Sequence, residues 1–276
     1  MNAALNIEQF RRLRDYIYEK TGIYFNDSKL FFVERRIMQR MEALRVADLN
    51  EYYSMLWYES GGEELQAFIE VLTVNETYFF REFHQLKCFA EEVLPELVRR
   101  ERGALTFWSA GCSTGEEAYT LAMILSEMLG AETLARCKII ATDIDNKVLA
   151  CAKMGCYGER STRHIPAPYV KRYFEPTGLE LRVKDELRSL VEFRRLNLID
   201  SAEMQAMREI DVIFCRNVLI YFDDQSRRQV TLDFYRSMKS GGYVFLGHSE
   251  SMSPITSVFQ LRKFQHSVFY QKQSER

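Results

Sequence analysis

An excess of basic charge is missing: 37 Lys and Arg stand against 39 Asp and Glu in 276 residues, a formal net charge of −2. No global positive field therefore recruits nucleic-acid phosphates, and the expectation is no nucleic-acid partner. Long apolar runs are missing too, none approaching the roughly 18 residues of a membrane span. The opening Met-Asn-Ala-Ala-Leu-Asn-Ile lacks the charged-then-apolar layout of a secretory leader. These absences predict a cytoplasmic protein with no direct membrane insertion. Cys-x-x-Cys does not occur among Cys88, Cys112, Cys137, Cys151, Cys156 and Cys215, and His84, His164, His248 and His266 show no ligand spacing. Neither a metal site nor a disulfide framework is indicated, and buried free thiols are expected. Proline is scarce, 5 residues, while 47% of the chain is apolar and 28% charged, which excludes collagen-like, low-complexity and disordered classes.

What is present falls into two patterns. Residues 1 to about 100 read as helix. Asn6 with Gln9 resembles a capping box, Ile7, Phe10, Leu13 and Ile17 follow at helical spacing, and Thr21-Gly22 stops the run. Ser28 is placed to cap a second helix with the apolar stripe Leu30, Val33, Ile37, Met41 and Leu44. Leu49 to Trp57 and Glu63 to Leu72 add two more, separated by Gly61-Gly62. Strand runs then alternate with helices: Leu105 to Ala110, a helix carrying Leu121 and Leu125, Cys137 to Asp143, Asp211 to Cys215, a helix capped by Asp223 and carrying Val230, Phe234 and Met238, and Tyr243 to Gly247. That alternation predicts a parallel sheet with right-handed crossovers. Two short strands between Val258 and Tyr270 suggest an antiparallel finish, and residues 156–195, with Leu179 to Val183 and Leu190 to Phe193 as strands, read as an inserted antiparallel β element. The expected fold is α/β: a helical bundle over 1–74, then a doubly wound sheet over 75–276 with that insertion.

Ligands of an open α/β sheet bind beyond the carboxyl ends of its strands. Here those ends carry Gly111 to Glu117, Asp143-Ile-Asp145, Arg216-Asn217 and Gly247-His-Ser-Glu250. Gly111-Cys-Ser-Thr-Gly115 lets backbone approach a ligand, and Asp143, at the next strand end, is placed to accept hydrogen bonds from ribose hydroxyls. A plain strand-to-helix turn with a solvated Asp is the ordinary alternative. The turn lacks the middle glycine of Gly-x-Gly-x-x-Gly, so a pyrophosphate is disfavoured. Glu116-Glu117 immediately after it would repel phosphate and suit a cationic ligand; S-adenosylmethionine, with ribose, sulfonium and ammonium, fits best. The same turn spells Gly-x-Ser-x-Gly, the nucleophile elbow of hydrolases, with His248 downstream. An elbow normally follows several strands, however, and no His-Gly-Gly segment precedes this one.

Asn75-Glu-Thr-Tyr-Phe-Phe-Arg-Glu82, Trp108-Ser-Ala-Gly-Cys-Ser-Thr-Gly-Glu-Glu-Ala-Tyr119, Thr142-Asp-Ile-Asp145, Ile213-Phe-Cys-Arg-Asn-Val-Leu-Ile-Tyr-Phe222 and Gly247-His-Ser-Glu250 together resemble the CheR-type chemotaxis methyltransferases, in order over nearly the whole chain. The resemblance implies methyl transfer from S-adenosylmethionine to glutamates on the cytoplasmic domain of membrane chemoreceptors, leaving S-adenosylhomocysteine. It places cofactor contacts on Asn75, Thr77, Arg81, Glu117, Asp143, Asn197, Leu198, Arg216 and Asn217, and sets Arg81 and Tyr221 beside the reacting centre as catalytic candidates. Gly111-Cys112 stands where many relatives carry small alanines. A noncatalytic S-adenosylmethionine-sensing adaptor, or a methyltransferase acting on another protein or RNA, are the alternative functions.

Two further expectations concern partners. Lys29, Arg35, Arg36, Arg40 and Arg45 against Glu34 and Glu42 make 29–46 locally basic, and Arg36 and Arg40, four apart, share a helix face. A solvated helix face explains this equally well; the resemblance favours docking of glutamate-rich receptor helices by Arg36 and Arg40, to a monomeric enzyme. In some family members the β insertion captures a receptor C-terminal pentapeptide by strand addition, which requires a glycine-rich loop. Here Glu175-Pro-Thr-Gly178 offers one glycine and a proline, so no pentapeptide dependence is expected.

Overall fold

A computed structural model describes residues 5–58, 62–252, 258–264 and 267–273; Gly61 and His266 lie outside them. The N-terminal helices are α1 (Ile7–Thr21), α2 (Leu30–Leu44), α3 (Leu49–Tyr58) and α4 (Glu63–Leu72). The capping box at α1 forms as expected, Asn6 and Gln9 each accepting from the other's backbone, and Gly22 ends the helix at φ 71°. Ser28 does not cap α2: it lies within a 3-10 turn, Asp27–Lys29, and α2 starts without a side-chain cap. Val33, Ile37 and Met41 are buried with Phe10, Leu13, Ile17, Tyr52, Leu56 and Phe68 in one core.

After α5 (Phe83–Cys88), a π turn, Phe89–Val93, leads into α6 (Leu94–Arg100). There follow β1 (Leu105–Ala110), α7 (Glu116–Met128), α8 (Ala131–Leu134), β2 (Cys137–Asp143), α9 (Asn146–Met154), β3 (Cys156–Tyr157), α10 (Glu159–Thr162), α11 (Ala167–Tyr173), β4 (Phe174–Thr177), β5 (Glu180–Val183), α12 (Asp185–Arg188), β6 (Val191–Arg195), α13 (Ser201–Met204), β7 (Ile210–Cys215), α14 (Asp224–Ser237), β8 (Met238–Leu246), β9 (Phe259–Lys263) and β10 (Val268–Lys272). Among the described residues the main sheet runs β6-β2-β1-β7-β8-β10-β9. Its first five strands are parallel and the last two antiparallel. Every residue of β7 is buried, as a central parallel strand covered on both faces requires. The chain winds outward from β1 through β2 to β6 and returns to β7, so the switch point of the sheet lies between β1 and β7.

Two expectations are corrected. Leu190 to Phe193 is not part of the insertion: Val191–Arg195 pairs parallel with β2, Ile139 opposite Val191, and only β3, β5 and β4 form the small antiparallel sheet. Met238, read as helical, opens β8, and Gly241-Gly242 lie inside that strand. A Cβ on Gly242 would stand 2.8 Å from the Asp211 carbonyl oxygen, so the glycine permits a close backbone approach. Of the six free cysteines, Cys88, Cys112 and Cys215 are buried, while Cys137, Cys151 and Cys156 are half-buried.

The helical region is fastened to the sheet at several points. Tyr24 N–H donates to the Tyr221 carbonyl (2.9 Å), Ile23 and Phe222 form an antiparallel bridge, Asn197 Nδ2 donates to the Lys20 carbonyl (2.7 Å), and Tyr18 donates its hydroxyl to Asp223 (3.0 Å). Gln66 of α4 reaches the Ile144 carbonyl (2.9 Å). No described helix is long and apolar enough to cross a membrane.

Candidate active site

A cavity of about 580 Å³ opens at the carboxyl ends of β1, β2, β6 and β7, within the size range of cofactor sites. Its sheet side is made of strand-end residues: Gly111, Cys112 and Ser113 after β1, Asp143 and Ile144 at β2, Leu196 to Leu198 after β6, and Arg216 to Val218 after β7. The opposite wall comes from Ile23 to Asn26, Lys29 and Phe32 of the helical region. Sequence reasoning did not find that wall, since contacts between segments far apart in the chain, such as Tyr24 with Tyr221, leave no local pattern.

Backbone strain is concentrated here. Of the six non-glycine residues with φ between 49° and 61° among those described, Phe80, Ser113 and Asn217 line the cavity and Glu82 adjoins it through Arg216. Such conformations persist only where the surroundings over-determine them. Gly111, at φ 81°, has no room for a side chain: a Cβ would stand 2.4 Å from Val218 Cγ2.

Asp143 is 8% exposed. Its Oδ2 accepts from Ser113 N–H (2.8 Å) and its Oδ1 from Asp145 N–H (3.0 Å). Burial nevertheless outweighs these bonds and pushes its carboxyl up to about 6. Glu117 accepts from Ser109 Oγ (2.6 Å) and faces Arg216 Nη1 at 3.2 Å. Arg216 is buried, touches Glu82 Oε2 at 3.3 Å, and donates to the Arg81 carbonyl. The expected Glu116-Glu117 pair does not face the ligand space together. Glu116 turns away into the protein, accepting from Thr114 Oγ1 (2.7 Å) and Ser161 Oγ (2.8 Å), and burial raises its carboxyl. Successive helical residues point about 100° apart, so only one can line the cavity.

All ten catalytic and cofactor candidates named above line this one cavity. Two of them are already committed to the protein: Asn75 Nδ2 donates to Asp145 Oδ2 (2.9 Å) and Thr73 Oγ1 (3.1 Å), and the Asn197 side chain bridges Lys20 and Ile199. Their place is to shape the walls. Asn217 Oδ1 is buried with no hydrogen-bond partner among the described residues, an exception to the rule that buried polar atoms are paired. Arg81 donates to the Glu76 carbonyl (2.7 Å) and lies over the Tyr78 ring at 5.8 Å. Tyr221 donates weakly to the Val74 carbonyl (3.4 Å), and burial raises its phenol despite the nearby Arg81 charge.

The hydrolase arrangement does not assemble. Ser113 Oγ donates to the Asn75 carbonyl (3.4 Å), and exposed His248 is held through its backbone N–H by Glu82 (3.3 Å). No described group of three or more His, Cys, Asp or Glu is placed to hold a metal ion. Arg36 and Arg40 stand apart from the cavity on α2. Arg40 is not a free surface charge: its guanidinium grips buried Glu64 at 3.0 and 2.6 Å, and Tyr52 donates to the same carboxylate at 2.8 Å.

The family model of the CheR methyltransferase S-adenosylmethionine-binding domain matches residues 75–268, and that of the CheR methyltransferase all-alpha domain matches residues 8–73. Chemotaxis protein methyltransferase 2 of Vibrio cholerae is 44% identical, covering 95% of this chain and 92% of the relative. Chemotaxis protein methyltransferase 2 of Pseudomonas aeruginosa is 40% identical over 88% and 86%, and chemotaxis protein methyltransferase of Salmonella typhimurium 38% over 94% and 89%. With this similarity running through both the helical region and the sheet, the chain belongs to the CheR methyltransferase family and is an S-adenosylmethionine-dependent methyltransferase.

Proposed function

We propose that this enzyme esterifies glutamate side chains on the cytoplasmic helices of chemoreceptors. The observation that carries the reading is the convergence of two kinds of residue on one cavity: Glu117 in the first turn of α7 with Asp143 at the end of β2, and Arg81 and Tyr221 beside exposed Val74. S-adenosylmethionine supplies a methyl group already activated on a sulfonium. The buried Asp143 carboxylate accepts from the ribose hydroxyls, Glu117 complements the positive end of the cofactor, and Asn217 Oδ1 offers the unpaired acceptor. A glutamate side chain, with an ordinary pKa of about 4.3, is already ionised at neutral pH and needs no general base. Rate then depends on holding the carboxylate oxygen in line with the transferred carbon in a site with little water. Arg81 binds the acceptor carboxylate, one of its five donors being committed to Glu76. Tyr221 orients it through its hydroxyl. Residues 1–74 serve as the docking domain, with Arg36 on its basic face, and acting on the cytoplasmic part of a receptor places the enzyme in the cytoplasm.

Incubation with labelled S-adenosylmethionine and receptor cytoplasmic fragments tests this reading. Base-labile label on receptor glutamates is the expected result; its absence from every receptor fragment of the same organism, with cofactor binding intact, would overturn it.

A further inference from the structure

The Gly247-His-Ser-Glu250 turn follows β8 and plays no part in the chemistry above. Its carboxylate nonetheless gathers four backbone N–H groups. Glu250 Oε2 accepts from Asn217 (2.7 Å) and Gly247 (2.6 Å), and Oε1 from Val218 (2.9 Å) and Ile220 (3.3 Å). Three of the four belong to the segment that carries the chain from β7 to Tyr221. That segment opens with Asn217 at φ 61°, and its N–H groups begin the short 3-10 turn Leu219–Tyr221, where donors lack partners within the turn. An ionised acceptor satisfies them with charge-assisted bonds. Gly247 completes the fit: a Cβ there would stand 2.6 Å from Glu250 Oε2, 2.8 Å from Asn217 N and 2.9 Å from Asn217 Nδ2. From the other side Tyr24 N–H holds the Tyr221 carbonyl (2.9 Å).

We propose that Glu250 is a positioning residue for methyl transfer: it sets the 217–221 turn so that Tyr221 faces the acceptor, acting through Tyr221 without touching either reactant. The inference rests on the assignment of Tyr221 to acceptor orientation given under the proposed function. Glu250→Gln keeps the size of the side chain, but its amide nitrogen turns a donor toward one pair of N–H donors in either flip. The 217–221 turn is then expected to relax, with β8, which ends at Leu246, undisturbed.

The experiment measures kcat and acceptor KM for the parent, Glu250→Gln, Tyr221→Phe and the double variant, with S-adenosylhomocysteine affinity by calorimetry and thermal unfolding alongside. Misplacing the turn is expected to lower kcat, measured at saturating S-adenosylmethionine, about ten- to hundredfold; S-adenosylhomocysteine affinity should fall as well, because Asn217 opens the same turn. The double variant should be no slower than the slower single, because both changes act on one hydroxyl. Losses that multiply in the double variant, or an unchanged kcat in Glu250→Gln, would overturn the inference. An unchanged kcat in Tyr221→Phe would refute the assignment of Tyr221 itself, and the inference with it. Should Glu250→Gln fold poorly, Gly247→Ala crowds the same carboxylate against Asn217, and the same non-additivity with Tyr221→Phe is expected.

Discussion

Arg216 and Glu117 face each other at 3.2 Å across the switch point of the sheet, with 3% and 14% of their side chains exposed. Arg216 also neutralises Glu82 at 3.3 Å, so one cation stands between two carboxylates in a partly dry site. Removing one partner of a buried pair leaves an uncompensated charge and costs about 3–5 kcal/mol. Arg216→Met is expected to destabilise the protein by about that amount in urea unfolding. A loss below about 1 kcal/mol would show that the pair is solvated in the native protein. Glu117→Gln, which keeps the shape, should instead act on the ligand, weakening S-adenosylmethionine and S-adenosylhomocysteine by about 1–3 kcal/mol, since each carries an ammonium group.

Asp143 gives the cofactor affinity a pH dependence. Burial raises its carboxyl to about 6, while ribose hydroxyls donate most strongly to the ionised form, whose bonds are charge-assisted. Below that pH the free protein holds a proton that binding tends to expel, so the Kd for S-adenosylhomocysteine should rise by up to about tenfold per unit as pH falls below about 6, and stay flat above it. Asp143→Asn should bind more weakly at neutral pH and lose the acid limb. Calorimetry between pH 5 and 8 decides it: a parent affinity flat over the whole range would remove Asp143 from the ribose.

Asp143 and Arg216 were legible in the sequence because each sits at the end of an apolar run, Asp143 after Cys137-Lys-Ile-Ile-Ala-Thr and Arg216 after Asp-Val-Ile-Phe-Cys, whereas Asn75, Thr77, Arg81 and Tyr221 were reached only through the family resemblance. Where the local signal was ambiguous, tertiary contacts decided. Val191-Glu-Phe-Arg-Arg195 reads like any short edge strand, and only its pairing with β2 assigns it to the main sheet. Glu116 and Glu117 are indistinguishable as letters, yet the helix they begin turns one inward to Ser161 and leaves the other on the cavity. Arg40 shows the opposite failure. Its basic neighbours suggested a surface, while its partner Glu64 lies 24 residues away on another helix.

That pairing changes how docking must be tested. Arg40→Glu would set a carboxylate against Glu64, which is 4% exposed, and should cost about 3–5 kcal/mol of stability. Among the described residues Arg36 is held by Gln39 at 3.3 Å and the face of Phe32 at 5.1 Å, and its Nε is buried with no partner, so Arg36→Glu breaks no ion pair and should change stability by about 1 kcal/mol. If α2 docks receptors, this single variant lowers receptor methylation, most at low salt, with S-adenosylhomocysteine affinity intact. Equal rates for variant and parent across a salt series would show the basic face to be ordinary solvated surface.

The β insertion bears on how receptors are reached. Its β4–β5 hairpin is tighter than the sequence suggested: Glu175, Pro176 and Thr177 are strand residues, Thr177 opposes Glu180, and only Gly178, at φ 62°, and Leu179 form the loop. β4 is an edge of the small sheet, the place where an added peptide strand would pair. Pro176 removes one backbone donor from that edge, and a two-residue loop offers no extended backbone to wrap a peptide. The enzyme is therefore expected to act on receptors without a C-terminal tether. Titration of a Trp-containing receptor C-terminal pentapeptide should give no binding in the micromolar range, and deleting the receptor tail should leave the methylation rate within about a factor of two, a free-energy change below about 0.5 kcal/mol. Micromolar binding together with loss of methylation on truncation would mean that the other residues of the β4 edge supply enough hydrogen bonds to hold the peptide despite Pro176.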